Sequence, residues 1–228
     1  MREIVFDTET TGLDPLTGDR MVEIGCIEIV NRIPTGATFH AYFNPQRDMP
    51  MEAERVHGLS AAFLSDKPLF SERAQELLDF LGDAPLVAHN AQFDFGFLNF
   101  ELQACQLAIV GHDRMIDTLA IARKRHPGAK HTLDALCSRY GVDRSHRVLH
   151  GALLDAELLA QVYVELSGGR QIGLGLAVDQ DATVAQAPTA FAPKIGEYRP
   201  ARPHYATNDE ITRHAEFLKT ISSPLWTQ

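Results

Sequence analysis

Two carboxylates in the run VFDTETTG, residues 5–12, raise the first chemical question about this chain. Asp7 and Glu9 follow the apolar pair Val5-Phe6 with Thr8 between them. Residues two apart in a strand share a face, so Asp7 and Glu9 project together and Thr8 turns away. Two charges that close repel, and one pKa must rise unless a cation lies between them. A solvated strand end with acidic turn formers explains the pair equally well. In LVAHNAQFDFGFL, Asp94 stands one turn inside a helix among Phe93, Phe95, Phe97 and Leu98. A carboxylate there is costly to bury unless it is paired or near a metal. Taken alone, it is also a first-turn acid that favours a helix N-terminus by about 0.3–1 kcal/mol. In HGALLDAELLAQVYVEL, the stripe Ala152, Ala156, Leu159, Tyr163 and Leu166 places Asp155 beside the buried face, flanked by Leu158 and Val162. His150 precedes this helix in a loop from which its ring can reach the same site. Four acids and a histidine, arriving from a strand end and two helix starts, suit Mg²⁺ or Mn²⁺ rather than zinc. Two such ions about 3.5–4 Å apart stabilise the attacking and leaving oxygens of phosphoryl transfer.

The elements that must position these residues are legible from periodicity. REIVFDT, MVEIGCIEIV and ATFHAYF are rich in β-branched and aromatic residues and predict three strands, with NRIPTG as a turn. From Ser71 the apolar spacing of Ala74, Leu77, Leu78 and Leu81 predicts a helix. APLVAHN is a short buried strand before the Phe93–Leu102 helix, and a strand near Met115 and Ile116 leads into a helix at about 117–125. TLDALCSRYG and GALLDAELLAQVYVELSGG are two more helices, each stopped by glycine. Antiparallel strands followed by strands alternating with helices imply a mixed α/β sheet flanked by helices. Residues 177–204, rich in Ala, Pro, Thr and Gln, have the composition of a linker. Helical periodicity returns through Ile211, Ala215 and Leu218.

Composition narrows the function classes. Hydrophobic residues make up 45% of 228, enough for one sizeable domain with extra material. Thirty acidic against 21 basic residues give a formal charge of −9, which disfavours a free-standing, charge-driven nucleic-acid binder. It does not oppose an enzyme whose acidic site recruits cations or which a partner delivers to its substrate. Cys26, Cys105 and Cys137 lack metal-ligand spacing and read as buried thiols of a reducing cytoplasm. With no signal-like start and no apolar run of membrane-spanning length, the expectation is a soluble, cytoplasmic protein.

In order, spacing and flanking apolar residues, DTETTG (Asp7, Glu9), HNAQFD (Asp94) and HGALLDA (His150, Asp155) resemble the motifs of the DEDDh exonucleases of the DnaQ-like family. The resemblance implies an RNase H-like fold, two divalent metal ions, and stepwise 3′→5′ hydrolysis that releases nucleoside monophosphates. Asp7, Glu9 and Asp155 would hold the first metal and meet the substrate phosphate. Asp7 would be shared with a second metal, Asp94 would act directly or through water, and His150 would be the general base. PMEAERVHGL resembles the segment that carries Glu52 and His57 as contacts to the terminal nucleotide, with a surface loop and a turn as the alternative.

Within the family, the likeness is to proofreading members that serve bacterial replicative polymerases, and it covers nearly the whole chain. It implies a single-stranded DNA 3′ end as substrate, the polymerase III alpha subunit and the beta sliding clamp as partners, and leaves room for a small theta-like subunit. The expected division is an exonuclease domain at 1–169, a clamp-binding peptide at 170–176, a linker at 177–204 and an alpha-binding tail at 205–228. QIGLGL would meet the clamp through Gln171, Leu174 and Leu176, and the tail would meet polymerase through Ile211, Phe217, Leu218 and Trp226. The same five site residues would equally serve an RNA-trimming relative of the RNase T or oligoribonuclease kind. A replisome adaptor without catalysis is the alternative from another class.

Overall fold

The β-branched and aromatic runs near the N-terminus form three long strands, β1 (Arg2–Thr10), β2 (Met21–Val30) and β3 (Ile33–Tyr42). This is a computed structural model that describes residues 1–145, 149–169 and 205–222. The clamp-peptide anchors Gln171, Leu174 and Leu176, the linker 177–204 and Trp226 therefore lie outside the described residues. The turn between β2 and β3 is shorter than NRIPTG. Asn31 and Arg32 form it in left-handed backbone, with φ of 51° and 67°, the two-residue geometry whose twist suits a hairpin. Pro34 can then sit within β3 because β3 is an edge strand, where one face of the ladder needs no donor.

Two short strands, β4 (Leu86–Ala88) and β5 (Met115–Asp117), add parallel to β1, giving the sheet order β3-β2-β1-β4-β5. Three antiparallel strands followed by parallel ones are what the sequence pattern implied. The helices of this unit are α1 (Met51–His57), α2 (Ala61–Leu64), α3 (Phe70–Leu81), α4 (Ala91–Ala104), α5 (Thr118–Arg125), α6 (Leu133–Tyr140) and α7 (Ala152–Leu166). PMEAERVHGL is thus a helix rather than a loop. Pro50 precedes its first turn, and Gly58 ends it in a left-handed cap at φ 77°.

Alternation along β1 separates two cores. Ile4 and Phe6 pack with residues of α3 and α4, whereas Val5 packs with Ala156, Leu159, Ala160 and Tyr163 of α7. The outer side of α7 buries Leu158, Val162 and Leu166 with Ala122 of α5 and Leu136 of α6, which explains why this helix is apolar nearly all round. Cys26 and Cys137 are buried as expected, but Cys105 is only partly so.

Residues 177–228 form a separate unit, in which α8 (Asn208–Leu218) is described. Thr207 and Glu210 make a reciprocal capping box at its start, and Ile211 and Phe217 are exposed. Among the described residues, no helix is long and apolar enough to cross a membrane.

Candidate active site

The carboxylates Asp7 and Glu9 do not end their strand. Pairing with β2 continues through Asp7↔Gly25 and Glu9↔Glu23 to a bulge after Glu9. Strand geometry therefore holds both acids on the face that carries Glu3 and Val5. Helix α7 runs against β1 along that face. The Tyr163 hydroxyl donates to Glu3 Oε1 at 2.7 Å near one end, Val5 packs in the middle, and the first turn of α7 meets the two acids at the other end.

Gly25 permits this approach. A Cβ at Gly25 would lie 2.3 Å from the Leu153 N and Cα atoms and 2.5 Å from the Ala152 carbonyl carbon. Only a residue without a side chain lets the α7 backbone come so close to the sheet. Because Gly25 is the direct cross-strand partner of Asp7, the close approach falls where Asp155 must enter.

The result is a convergent donor set. Glu9, His150 and Asp155 each offer a ligand atom, and these atoms all lie within 4.8 Å of one another. His150 Nδ1 is 3.2 Å from Asp155 Oδ2. The His150 peptide N–H donates to the Val56 carbonyl at 3.2 Å, which ties this loop to α1. Asp7, half-buried, and Asp94, buried, lie outside that close group but line the same cavity of about 650 Å³.

Asp94 reaches the cavity from α4, and its Oδ1 accepts from the Thr8 hydroxyl at 2.8 Å. The residue that turns away from Asp7 and Glu9 thus holds the fourth acid. Burial pushes the Asp94 carboxyl up to about 7, against the opposing effect of the Thr8 bond. A divalent cation nearby would reverse that shift. The clustered carboxylates of Glu9 and Asp155, with those of Asp7 and Asp94 on the wall of the same cavity, fit a hard cation of the Mg²⁺ or Mn²⁺ type.

A second cavity of about 500 Å³ adjoins the first and shares Thr8, Glu9 and Phe93 with it. Glu52, Val56 and His57 of α1 line it, as do Thr11, Gly12 and Leu13 after β1. His57 is buried, and its Nδ1 accepts the Leu59 peptide N–H at 3.0 Å. Burial lowers its pKa, so the neutral ring carries its proton on Nε2. Among the described residues that buried nitrogen has no partner at full hydrogen-bond geometry, although the Thr10 backbone is near enough to oppose the effect of burial on the ring.

Three supporting groups carry no sequence signal of catalysis. Asp117 Oδ1 accepts the peptide N–H groups of Asn90, Ala91 and Leu119, fixing the starts of α4 and α5 together. Buried Glu23, opposite Glu9, is paired with His40 at 2.7 Å. Glu101 of α4 holds Arg20 through two bonds of 2.7 Å. Gly25 could have been found, since an isolated glycine within a strand marks close backbone approach. Asp117 carries the weaker signal of an acid at a helix start.

This cavity at the ends of parallel strands, with its carboxylate cluster, defines a nuclease class. The exonuclease family (RNase_T) matches residues 4–163, and the chain belongs to that family. At 97% coverage of both chains it is 49% identical, over 226 residues, to the DNA polymerase III subunit epsilon of Rickettsia felis. Identity to the subunit of the same name from Escherichia coli is 41% over 236 residues, covering 99% of this chain and 97% of that one. The nuclease domain of 3′hExo, a DEDDh family member bound to rAMP, shares the fold with a TM-score of 0.64 at 17% identity, over 73% of this chain and 92% of that one. Exonuclease X, in complex with 5′-overhanging duplex DNA, matches with a TM-score of 0.55 at 24% identity, over 72% of this chain and 90% of that one. The RNase H-like exonuclease fold implied by the motifs is therefore the fold of this chain.

Proposed function

We propose that the chain is the proofreading 3′→5′ exonuclease of a replicative DNA polymerase III core, removing mispaired 3′-terminal deoxynucleotides. The observation that carries this reading is the convergence of Glu9, His150 and Asp155 from a strand, a loop and a helix. Asp7, Glu9 and Asp155 would hold divalent ions of the Mg²⁺ or Mn²⁺ type, and Asp94 would contribute directly or through water. When bound, such a pair of ions activates water and stabilises the attacking and leaving oxygens of the displacement. With Nδ1 turned to Asp155, His150 takes the proton of the attacking water on Nε2 as general base. His57 and Glu52 contact the terminal nucleotide from the second cavity, whose wall both residues line.

The rest of the chain serves delivery. Residues 170–176, with Gln171, Leu174 and Leu176, bind the beta clamp. The linker at 177–204 leads to the tail at 205–228, which docks on polymerase alpha through Ile211, Phe217, Leu218 and Trp226. Exposed Ile211 and Phe217 on a self-capped helix support that role. Tethering raises the local concentration at a primer end and offsets the acidic charge of the chain. A theta-like subunit is a further candidate partner of the exonuclease domain.

The test compares matched DNA and RNA strands, with paired and mispaired 3′ ends, incubated with the purified chain and Mg²⁺, with and without polymerase alpha. Preferred removal of a mispaired deoxynucleotide, accelerated by the polymerase, is expected. Faster trimming of RNA, or indifference to the polymerase, would overturn the proposal in favour of an RNA-processing role.

A further inference from the structure

No acidic residue occurs between Asp117 and Asp134, although the chain has 30 acids in 228 residues. Arg123, Lys124, Arg125, His126, Lys130 and His131 are concentrated there, at the end of α5 and in the loop to α6. Some of these groups are structural. Arg125 donates to the Glu165 and Leu166 carbonyls at the end of α7, and the His126 ring meets the Tyr140 hydroxyl. Arg123, Lys124 and Lys130 are exposed, and none takes part in an ion pair among the described residues.

Arg123 stands on the wall of the carboxylate cavity, and Lys124 and Lys130 belong to the same exposed segment of chain. Arg123 and His131 line the cavity that holds Glu9 and Asp155, but not the second cavity. Glu9 therefore stands between a largely apolar pocket on one side and the wall that carries Arg123 on the other. A terminal nucleotide in the apolar pocket would put its phosphate at the carboxylates and send the upstream strand towards Arg123. A chain of charge −9 repels a polyanion at long range. Within the ~8 Å over which charges act at physiological salt, three unpaired cations can reverse that locally.

We propose that Arg123, Lys124 and Lys130 form a track for the phosphodiesters upstream of the scissile linkage of a single-stranded DNA substrate. This rests on the nuclease reading above. Affinity should then grow with strand length and depend on salt, because each phosphate neutralised releases counterions with a slope of about −0.7 for single strands.

The test uses oligothymidylates of two, four and eight nucleotides whose 3′-terminal linkage is a methylphosphonate, so that the strand is bound but not cut. Titrations with the full chain in Mg²⁺ are run at several salt concentrations, together with Arg123→Ala/Lys124→Ala/Lys130→Ala and the milder Lys124→Gln/Lys130→Gln. For the unaltered chain, affinity should rise at least tenfold from the dimer to the octamer. For the triple variant the octamer salt slope should fall by about 2, so that its deficit at 50 mM salt exceeds that at 200 mM by about 16-fold. The double variant should fall between the two. Equal octamer binding by all three proteins would overturn the proposal and leave the basic face to another partner, such as an acidic protein. An equal loss for dimer and octamer would also overturn it, by placing the effect in the pocket or the fold. Failure of the nuclease reading would appear separately, as absence of metal-dependent cleavage of an ordinary oligonucleotide by the unaltered chain.

Discussion

Replacing Gly25 by alanine is expected to disable the site without unfolding the domain. The new methyl group would meet the α7 backbone at 2.3 Å, so reaching the 3.4 Å of ordinary contact moves the first turn of α7 by about 1 Å. Asp155 lies on that turn and His150 immediately before it, whereas Glu9 stays with the sheet. The donor set that now fits within 4.8 Å is thereby opened. A misplacement of about 1 Å costs roughly 10²-fold in rate. The overpacking itself costs about 1–3 kcal/mol, which lowers Tm by a few degrees per kcal/mol in a domain of this size. The assay is the initial rate of 3′-end removal across a Mg²⁺ titration, read beside a thermal melt. Gly25→Ala should lose about 100-fold in kcat/KM and need more metal for half-maximal rate. Gly96→Ala is the control, because nothing lies within 4 Å of its Cβ and the residue sits in α4. It should gain about 0.5–1 kcal/mol with unchanged activity. Activity of Gly25→Ala within threefold of the unaltered protein would refute the close approach as the determinant of the site.

Other outcomes follow from the same geometry. Asp7→Ala and Asp155→Ala should each abolish metal-dependent hydrolysis while circular dichroism shows the fold intact. His150→Ala should lower kcat by about 10²–10⁴-fold with little change in DNA affinity, and equal losses in both would contradict a base role. The Asp94 carboxyl loses its proton near 3.8 when unfolded but at about 7 when buried without metal. Metal-free stability should therefore fall as pH rises from about 4 to about 7. In EDTA at pH 8, Asp94→Asn should melt higher, since a neutral amide escapes a penalty of about 1.4 kcal/mol per shifted pKa unit; an unchanged Tm would contradict burial as the cause. Removing the residues after about 176 should spare cleavage of free oligonucleotides and abolish co-purification with polymerase alpha.

The parts of the fold that were legible in the sequence are those governed by local periodicity. Alternation in REIVFDT fixed the shared face of Asp7 and Glu9, and the stripe through Ala156, Leu159 and Tyr163 fixed the inward edge that holds Asp155. The strand was longer than it read, because pairing of Glu9 with Glu23 depends on a partner strand distant in sequence. Helix α1 leaves no period in the sequence, since seven residues make only two turns. The bond from Thr8 to Asp94 joins residues 86 apart, and the contact of Gly25 with Leu153 joins β2 to α7. Neither leaves a pattern within one element. The grouping of the donors shows the same limit. Glu9, His150 and Asp155 converge within 4.8 Å, and Asp7 and Asp94 line the same cavity outside that close group.

The central claim is that this cavity hydrolyses DNA from the 3′ end with bound metal. A 5′-labelled single-stranded oligonucleotide, incubated with the purified chain and Mg²⁺, reads it directly. The account predicts a ladder shortened one nucleotide at a time from the 3′ end, release of deoxynucleoside 5′-monophosphates, and no products in EDTA or with Asp155→Ala. Internal cuts, loss of the 5′ label as mononucleotide from the outset, or an undiminished ladder in EDTA would contradict it.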